Sequence, residues 1–188
     1  MVALVALERV FELWLSRRNA RRLSRSGAVE AGAGLTRVIG LFHAAVLTAC
    51  ALEGRRARKR RWALAPLLGA QALRYWAAAS LGDRWNISVL VVPGAQPVTK
   101  GPYRFLRHPN YLAVIVEMLA LPIYCGAPRT ALFATVGNAL LLAGRIRIEE
   151  DALGSAYAAA FAGRPRFLPS RRSHVGSGNL AGNPAYRA

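Results

Sequence analysis

Histidine, tyrosine, arginine and carboxylate side chains gather in two short runs of this chain. The first is Gly101-Pro102-Tyr103-Arg104-Phe105-Leu106-Arg107-His108-Pro109-Asn110-Tyr111, and the second is Arg145-Ile146-Arg147-Ile148-Glu149-Glu150. Such groups can hold a charged small molecule, steady an oxyanion and take up a proton, which is the equipment of an acid–base or group-transfer site. Between the runs lie two apolar stretches, 112–123 and 129–144, joined through Gly126 and Pro128. This spacing predicts a tight helical hairpin bracketed by polar clusters.

Counting along the hairpin turns sequence distance into proximity. His108 lies 18 residues before Gly126 and Arg145 lies 19 after it. At the rise of a helix both stand roughly 27 to 29 Å from the turn, about the thickness of a hydrocarbon core, so they should emerge at one membrane face. Asn138, Arg145 and Glu149 share a stripe of the second helix, with Arg145 and Glu149 as i, i+4 neighbours. Glu117 lies inside the first helix at a level that predicts a hydrogen bond to Asn138. Taken singly, these groups could be interfacial anchors, aromatic-belt residues or a solvated charge run. Their conjunction favours a site.

The elements that must position this site read as an all-α, integral-membrane bundle of about five helices. The composition is 54% hydrophobic, and 26 basic against 9 acidic residues give a net charge of +17. The arginines fall in blocks between apolar stretches, a pattern suited to anionic headgroups rather than to nucleic acid. Expected spans are 2–15, 35–52, 62–81, 112–123 and 129–144. Glu8, Arg9 and Glu12 leave the first of these either a short span or an interfacial helix. A basic loop over 17–25, a short β-branched stretch over 85–92 and a separate amphipathic helix over 151–169 complete a single domain, 1–169, with a disordered tail, 170–188. The start lacks the features of a signal peptide. Sixteen basic residues fall on the site side of this layout and seven opposite, which turns the site to the cytoplasm. Basic run 55–61 lies on the opposite side, against that rule. Cys50 and Cys125 lack metal-ligand spacing and read as buried thiols. Residues 30–34 lack the glycine spacing of a dinucleotide-binding loop.

The run Val98-Thr99-Lys100-Gly101-Pro102-Tyr103-Arg104-Phe105-Leu106-Arg107-His108-Pro109-Asn110-Tyr111, followed by a hairpin and the Arg145–Glu150 run, resembles the isoprenylcysteine carboxyl methyltransferase family over roughly residues 90–169. The resemblance implies a cytoplasm-facing pocket for S-adenosylmethionine without a Rossmann fold. Pro97, Val98, Tyr103, His108, Pro109, Asn110, Tyr111 and Glu149 would form it, and Arg145 would address the substrate. Arg145 and Glu117 are the expected catalytic residues. The start of the chain, Glu8-Arg9-Val10-Phe11-Glu12-Leu13 and Ser16-Arg17-Arg18-Asn19, is similar to a bacterial branch encoded with type III polyketide synthases. That likeness implies O-methylation of an alkylpyrone or alkylresorcinol, a lipid-like acceptor met at the bacterial cell membrane. Carboxyl methylation of a prenylated cysteine and NADPH-dependent reduction are the alternatives.

Overall fold

The computed structural model describes residues 1–167. Five helices dominate: α1 (Val2–Arg25), α2 (Ala33–Glu53), α3 (Leu64–Leu81), α4 (Pro109–Cys125) and α5 (Pro128–Ala160). They are not all of the regular structure. Strands β1 (Val29–Ala31) and β2 (Val89–Val91) pair antiparallel with Glu30 opposite Leu90. The expected all-α class holds for the bulk of the chain and is corrected only by this one two-stranded ribbon, whose strands Val29-Glu30-Ala31 and Val89-Leu90-Val91 carry the β-branched valines that favour extended backbone. The ribbon ties the α1–α2 connection to the segment that leads toward Gly101.

Helix limits follow local chemistry. Pro109 and Pro128 occupy the first turns of α4 and α5, where a missing N–H costs nothing. Gly126, at φ 74°, ends α4 in the left-handed conformation that glycine adopts freely. The hairpin turn is braced from outside: the Arg60 N–H donates to the Tyr124 carbonyl, and Lys59 Nζ donates to the Gly54 carbonyl at 2.9 Å. Glu53 accepts from the backbone N–H groups of Arg129 and Thr130, placing a carboxylate at the positive end of α5.

One boundary departs from expectation. Residues 17–25 continue α1 instead of forming a loop, because arginine is a good helix former and Ser16, Asn19 and Leu23 give this stretch a buried face. Gly154 (φ 66°) breaks α5 with a non-helical kink, and the residues beyond it, up to Ala160, form a further helix close to the expected one over 151–169.

α3 packs on α4, α4 on α5 and α5 on α2. The core between them contains Val46, Leu67, Met118 and Leu121. Leu41, Leu132 and Leu140 point outward with about 70% of their surface exposed, while Glu12, Arg74, Glu117 and Asn138 are buried. Apolar outside and polar inside is the arrangement that a lipid solvent selects. Two helices, α2 and α5, are long and apolar enough to cross a membrane, and the 21 residues of α2 give about 31 Å.

Candidate functional site

The end of the bundle opposite the hairpin turn holds the predicted cluster. Gly101 takes φ 60° and runs so close to α3 that an added Cβ would lie 1.9 Å from Ser80 Oγ. The turn that follows buries Tyr103. His108 caps the start of α4 and is 3% exposed; its ring stacks on that of Tyr111, with centroids 5.3 Å apart.

Tyr111 joins the two sequence runs. Its hydroxyl donates to the Glu149 carboxylate and accepts from Arg145 Nε at 3.1 Å. Arg145 is 6% exposed. Its other nitrogens donate to Thr36 Oγ1 at 2.5 Å and to the Ile87 carbonyl. Every arm of the guanidinium is thus fixed by a different element, and a rigid fork of this kind can present donors to an oxyanion with little reorganisation.

A second layer sits over the first. His108 Nε2 lies 3.0 Å from Glu150 Oε1, and Glu150 also receives two bonds from Arg166, at 3.0 and 2.5 Å. The Arg166 guanidinium, helped by His108, holds the Glu150 carboxyl at about 2, below the usual carboxylate range. The Arg107 and His108 N–H groups donate to the Pro165 and Arg166 carbonyls at 2.9 and 3.2 Å. Arg164 Nη1 reaches the Tyr103 carbonyl at 2.9 Å. Residues 164–166 therefore strap the first run from outside. Burial, followed by the Glu149 charge, pushes the Tyr103 and Tyr157 phenols upward, so both stay protonated donors.

These groups open onto a chamber of about 760 Å³, within the size range of small-molecule sites. Pro97, Val98, Tyr103, His108, Asn110, Tyr111, Arg145 and Glu149 all line it. Pro109 does not; it is buried in the first turn of α4 and sets where the helix starts. Glu117 does not reach the chamber either. Arg9 Nη2 donates to it at 3.2 Å and Gln71 Nε2 at 3.4 Å, in place of the expected Asn138. The reason is that α1 folds its polar face onto α3 and α4, which supplies partners the hairpin alone could not reveal.

The sequence reading missed Thr36, the Ile87 carbonyl, Tyr157, Phe161 and Arg166. Only Arg166 carried a signal, as a cation in the Arg164-Pro165-Arg166 run that follows the last helix. The others serve through backbone position or through helices whose packing is not encoded locally.

The donor set suits a cationic, base-bearing cofactor. Asn110 Oδ1 is a buried acceptor with no partner, Glu149 offers a carboxylate, and the tyrosine and phenylalanine rings provide π faces for a positive group. Among the described residues no cluster of histidine, cysteine or carboxylates is arranged to hold a metal ion.

The uncharacterized protein YpbQ of Bacillus subtilis is 37% identical over 158 residues, covering 81% of this chain and 94% of that protein. An uncharacterized protein of Haemophilus influenzae is 28% identical over 151 residues, covering 77% and 88%. Residues 63–155 match the isoprenylcysteine carboxyl methyltransferase family, integral-membrane enzymes that use S-adenosylmethionine as methyl donor. With Tyr111, Arg145 and Glu149 joined inside that matched region, the chain belongs to the isoprenylcysteine carboxyl methyltransferase family.

Proposed function

We propose that this protein binds S-adenosylmethionine in the chamber beneath His108 and methylates an oxygen of a lipid-like phenol or enol, such as an alkylresorcinol or alkylpyrone. The observation that carries the proposal is the Arg145–Tyr111–Glu149 chain, which opens on a largely apolar chamber. Bound there, S-adenosylmethionine supplies a methyl carbon made electrophilic by its sulfonium, and the departing thioether keeps the electron pair of the broken C–S bond.

The protein's own part is alignment and charge. Asn110, Tyr103 and the rings of Tyr157 and Phe161 hold the cofactor, and the Glu149 carboxylate offsets its positive charge. Arg145 stabilises the acceptor oxygen as an anion. A pyrone enol is acidic enough to lose its proton readily, whereas a phenol near pKa 10 needs the cation beside it. Tyr111, hydrogen-bonded to both Arg145 and Glu149, offers a path for that proton to the carboxylate. Glu117, held by Arg9 and Gln71, stands outside this path. The apolar walls exclude water from the methyl group and receive the acceptor's chain. In the membrane the site faces the cytoplasm, where the cofactor is made.

The test is direct. Purified protein in detergent, given labelled S-adenosylmethionine, should methylate an alkylresorcinol or alkylpyrone in preference to farnesylcysteine. Methylation of farnesylcysteine alone would transfer the assignment to carboxyl chemistry. Binding of NADPH with no binding of S-adenosylmethionine would refute the methyltransferase reading.

A further inference from the structure

The chamber has a second polar end that methyl transfer at Arg145 does not use. On α2, Thr36 lies beside Arg145, and the same helix face continues into the chamber through Ile39, Gly40 and His43. His43 is seven residues beyond Thr36, about 10 Å deeper at the rise of a helix. The wall between is apolar, with Ile39, Val114 and Leu142.

At the inner end, Arg9, Glu12 and Arg74 join His43 in lining the chamber. Arg9 is within 3.3 Å of Glu8, 2.6 Å of Glu12 and 3.2 Å of Glu117. Arg74 donates twice to Glu12, and both residues are more than nine-tenths buried. Three carboxylates thus face two guanidiniums. Where it meets the chamber the network is also incompletely bonded: His43 Nε2, Arg74 Nη1 and Arg9 Nε are buried without partners. Buried polar groups that serve only to hold a fold are normally satisfied, and a lipid solvent raises the cost of leaving them open. An alkyl terminus would gain nothing here, because it would strip solvation from charges without replacing their hydrogen bonds.

We propose that this inner end is an acceptor subsite, and that the lipid acceptor carries a hydroxyl about 10 Å from the oxygen that is methylated, held between His43 and the Arg9–Glu12 pair. A hydroxyl fits because it donates to a carboxylate in a cluster with surplus negative charge and accepts from the imidazole or the guanidinium. The inference rests on the methyl-transfer reading for the position of the acceptor's other end.

Two resorcinols test it, each with an alkyl chain just long enough to span about 10 Å, one ending in methyl and one in hydroxyl. Binding of both is measured by calorimetry on the full chain in detergent, separately from methyl transfer. The hydroxyl-ended compound should bind about tenfold more tightly, the factor for one hydrogen bond to a charged or buried group. His43→Ala should abolish that preference, and His43→Gln, which can still hydrogen-bond, should restore part of it. S-adenosylhomocysteine binding reports whether each variant is folded, and if His43→Ala is not, the wild-type comparison decides. Equal affinity of the two compounds for the wild type, or a preference that survives His43→Ala in folded protein, overturns the subsite. A preference in binding with no methylation of either compound supports the subsite and removes the methyl-transfer reading.

Discussion

Arg145 Nε lies 3.1 Å from the hydroxyl oxygen of Tyr111, and the remaining arms of the same guanidinium end on Thr36 and the Ile87 carbonyl. The fork is therefore held in one plane by three elements distant in sequence. Lysine at this position keeps the charge but can satisfy neither the planar geometry nor all three partners. Arg145→Lys should lower kcat for methyl transfer by about 10- to 100-fold, or about 1.4 to 2.7 kcal/mol of barrier. Cofactor affinity should change far less. Single-turnover assays with labelled methyl donor, beside cofactor titrations, separate the two, and an unchanged rate would remove Arg145 from the reacting atoms.

Glu150 links His108 to the 164–166 strap. Its carboxyl sits at about 2 instead of 4.5, chiefly through Arg166. A carboxyl depressed in the folded state contributes stability that is fully present above its ordinary pKa and drains away as pH falls toward the folded value. The thermal midpoint of the wild type should thus hold steady above pH about 4.5 and fall below it, toward about 2. Glu150→Gln should flatten that acid limb and speed hydrogen exchange at the Arg107 and His108 amides, which bond to the strap. Identical acid limbs in the two proteins would show that the pair does not hold the strap.

Much of the site is legible in the sequence because a helical hairpin converts residue counts into distances. Counting outward from Gly126 is enough to bring the level of His108 to that of Arg145. The i, i+4 spacing of Arg145 and Glu149 likewise places both beside Tyr111. Thr36 and Ile87 could not be found this way, since their places depend on how α2 and the β-ribbon dock, and docking is decided by tertiary packing rather than by local period. Glu117 shows the same limit. Its depth within α4 is readable, but its partner is Arg9 on α1 rather than Asn138 on α5, because pairing an arginine with a buried carboxylate compensates burial better than an amide does. The ribbon itself was visible only as a short β-branched run, with no signal for its partner strand.

Gly101 is a second place where geometry rather than chemistry sets the site. Alanine there must adopt φ 60° and place its Cβ 1.9 Å from Ser80 Oγ. The left-handed backbone alone costs about 1 to 2 kcal/mol for a residue with a Cβ, and the clash adds to it. Gly101→Ala should lower the thermal midpoint and weaken cofactor binding together, since Tyr103 rides on the same turn. Adding Ser80→Gly removes the obstructing hydroxyl and should recover part of both losses; no recovery would mean that the close approach to α3 is unimportant.

The two ends of the hairpin should label from opposite sides of the membrane. Lys100 lies beside the chamber, while Arg129 follows the Gly126 turn at the far end of α4. The orientation expected from the excess of basic residues on the site side would put Lys100 in the cytoplasm. Lys100→Cys should therefore react with an impermeant maleimide only after cells are opened, and Arg129→Cys in intact cells. Reaction of both from one side would refute a membrane-crossing hairpin; a reversed pattern would keep the hairpin and turn the site outward.

Chain length of the acceptor provides the last prediction, because the chamber has apolar walls and a polar floor. Each methylene that lies against Ile39, Val114 and Leu142 should contribute about 0.8 kcal/mol of binding, so kcat/KM for unsubstituted alkylresorcinols should rise with each added carbon at first. The rise should stop once the chain spans about 10 Å and its methyl end meets His43, Arg9 and Glu12, where an apolar terminus displaces solvation and returns no hydrogen bond. Longer chains must then bend aside into lipid and gain little. A homologous series assayed under identical detergent conditions gives the profile, with a break at that length as the expected result. A steady increase through much longer chains would mean that the tail follows another route and never approaches the buried charges.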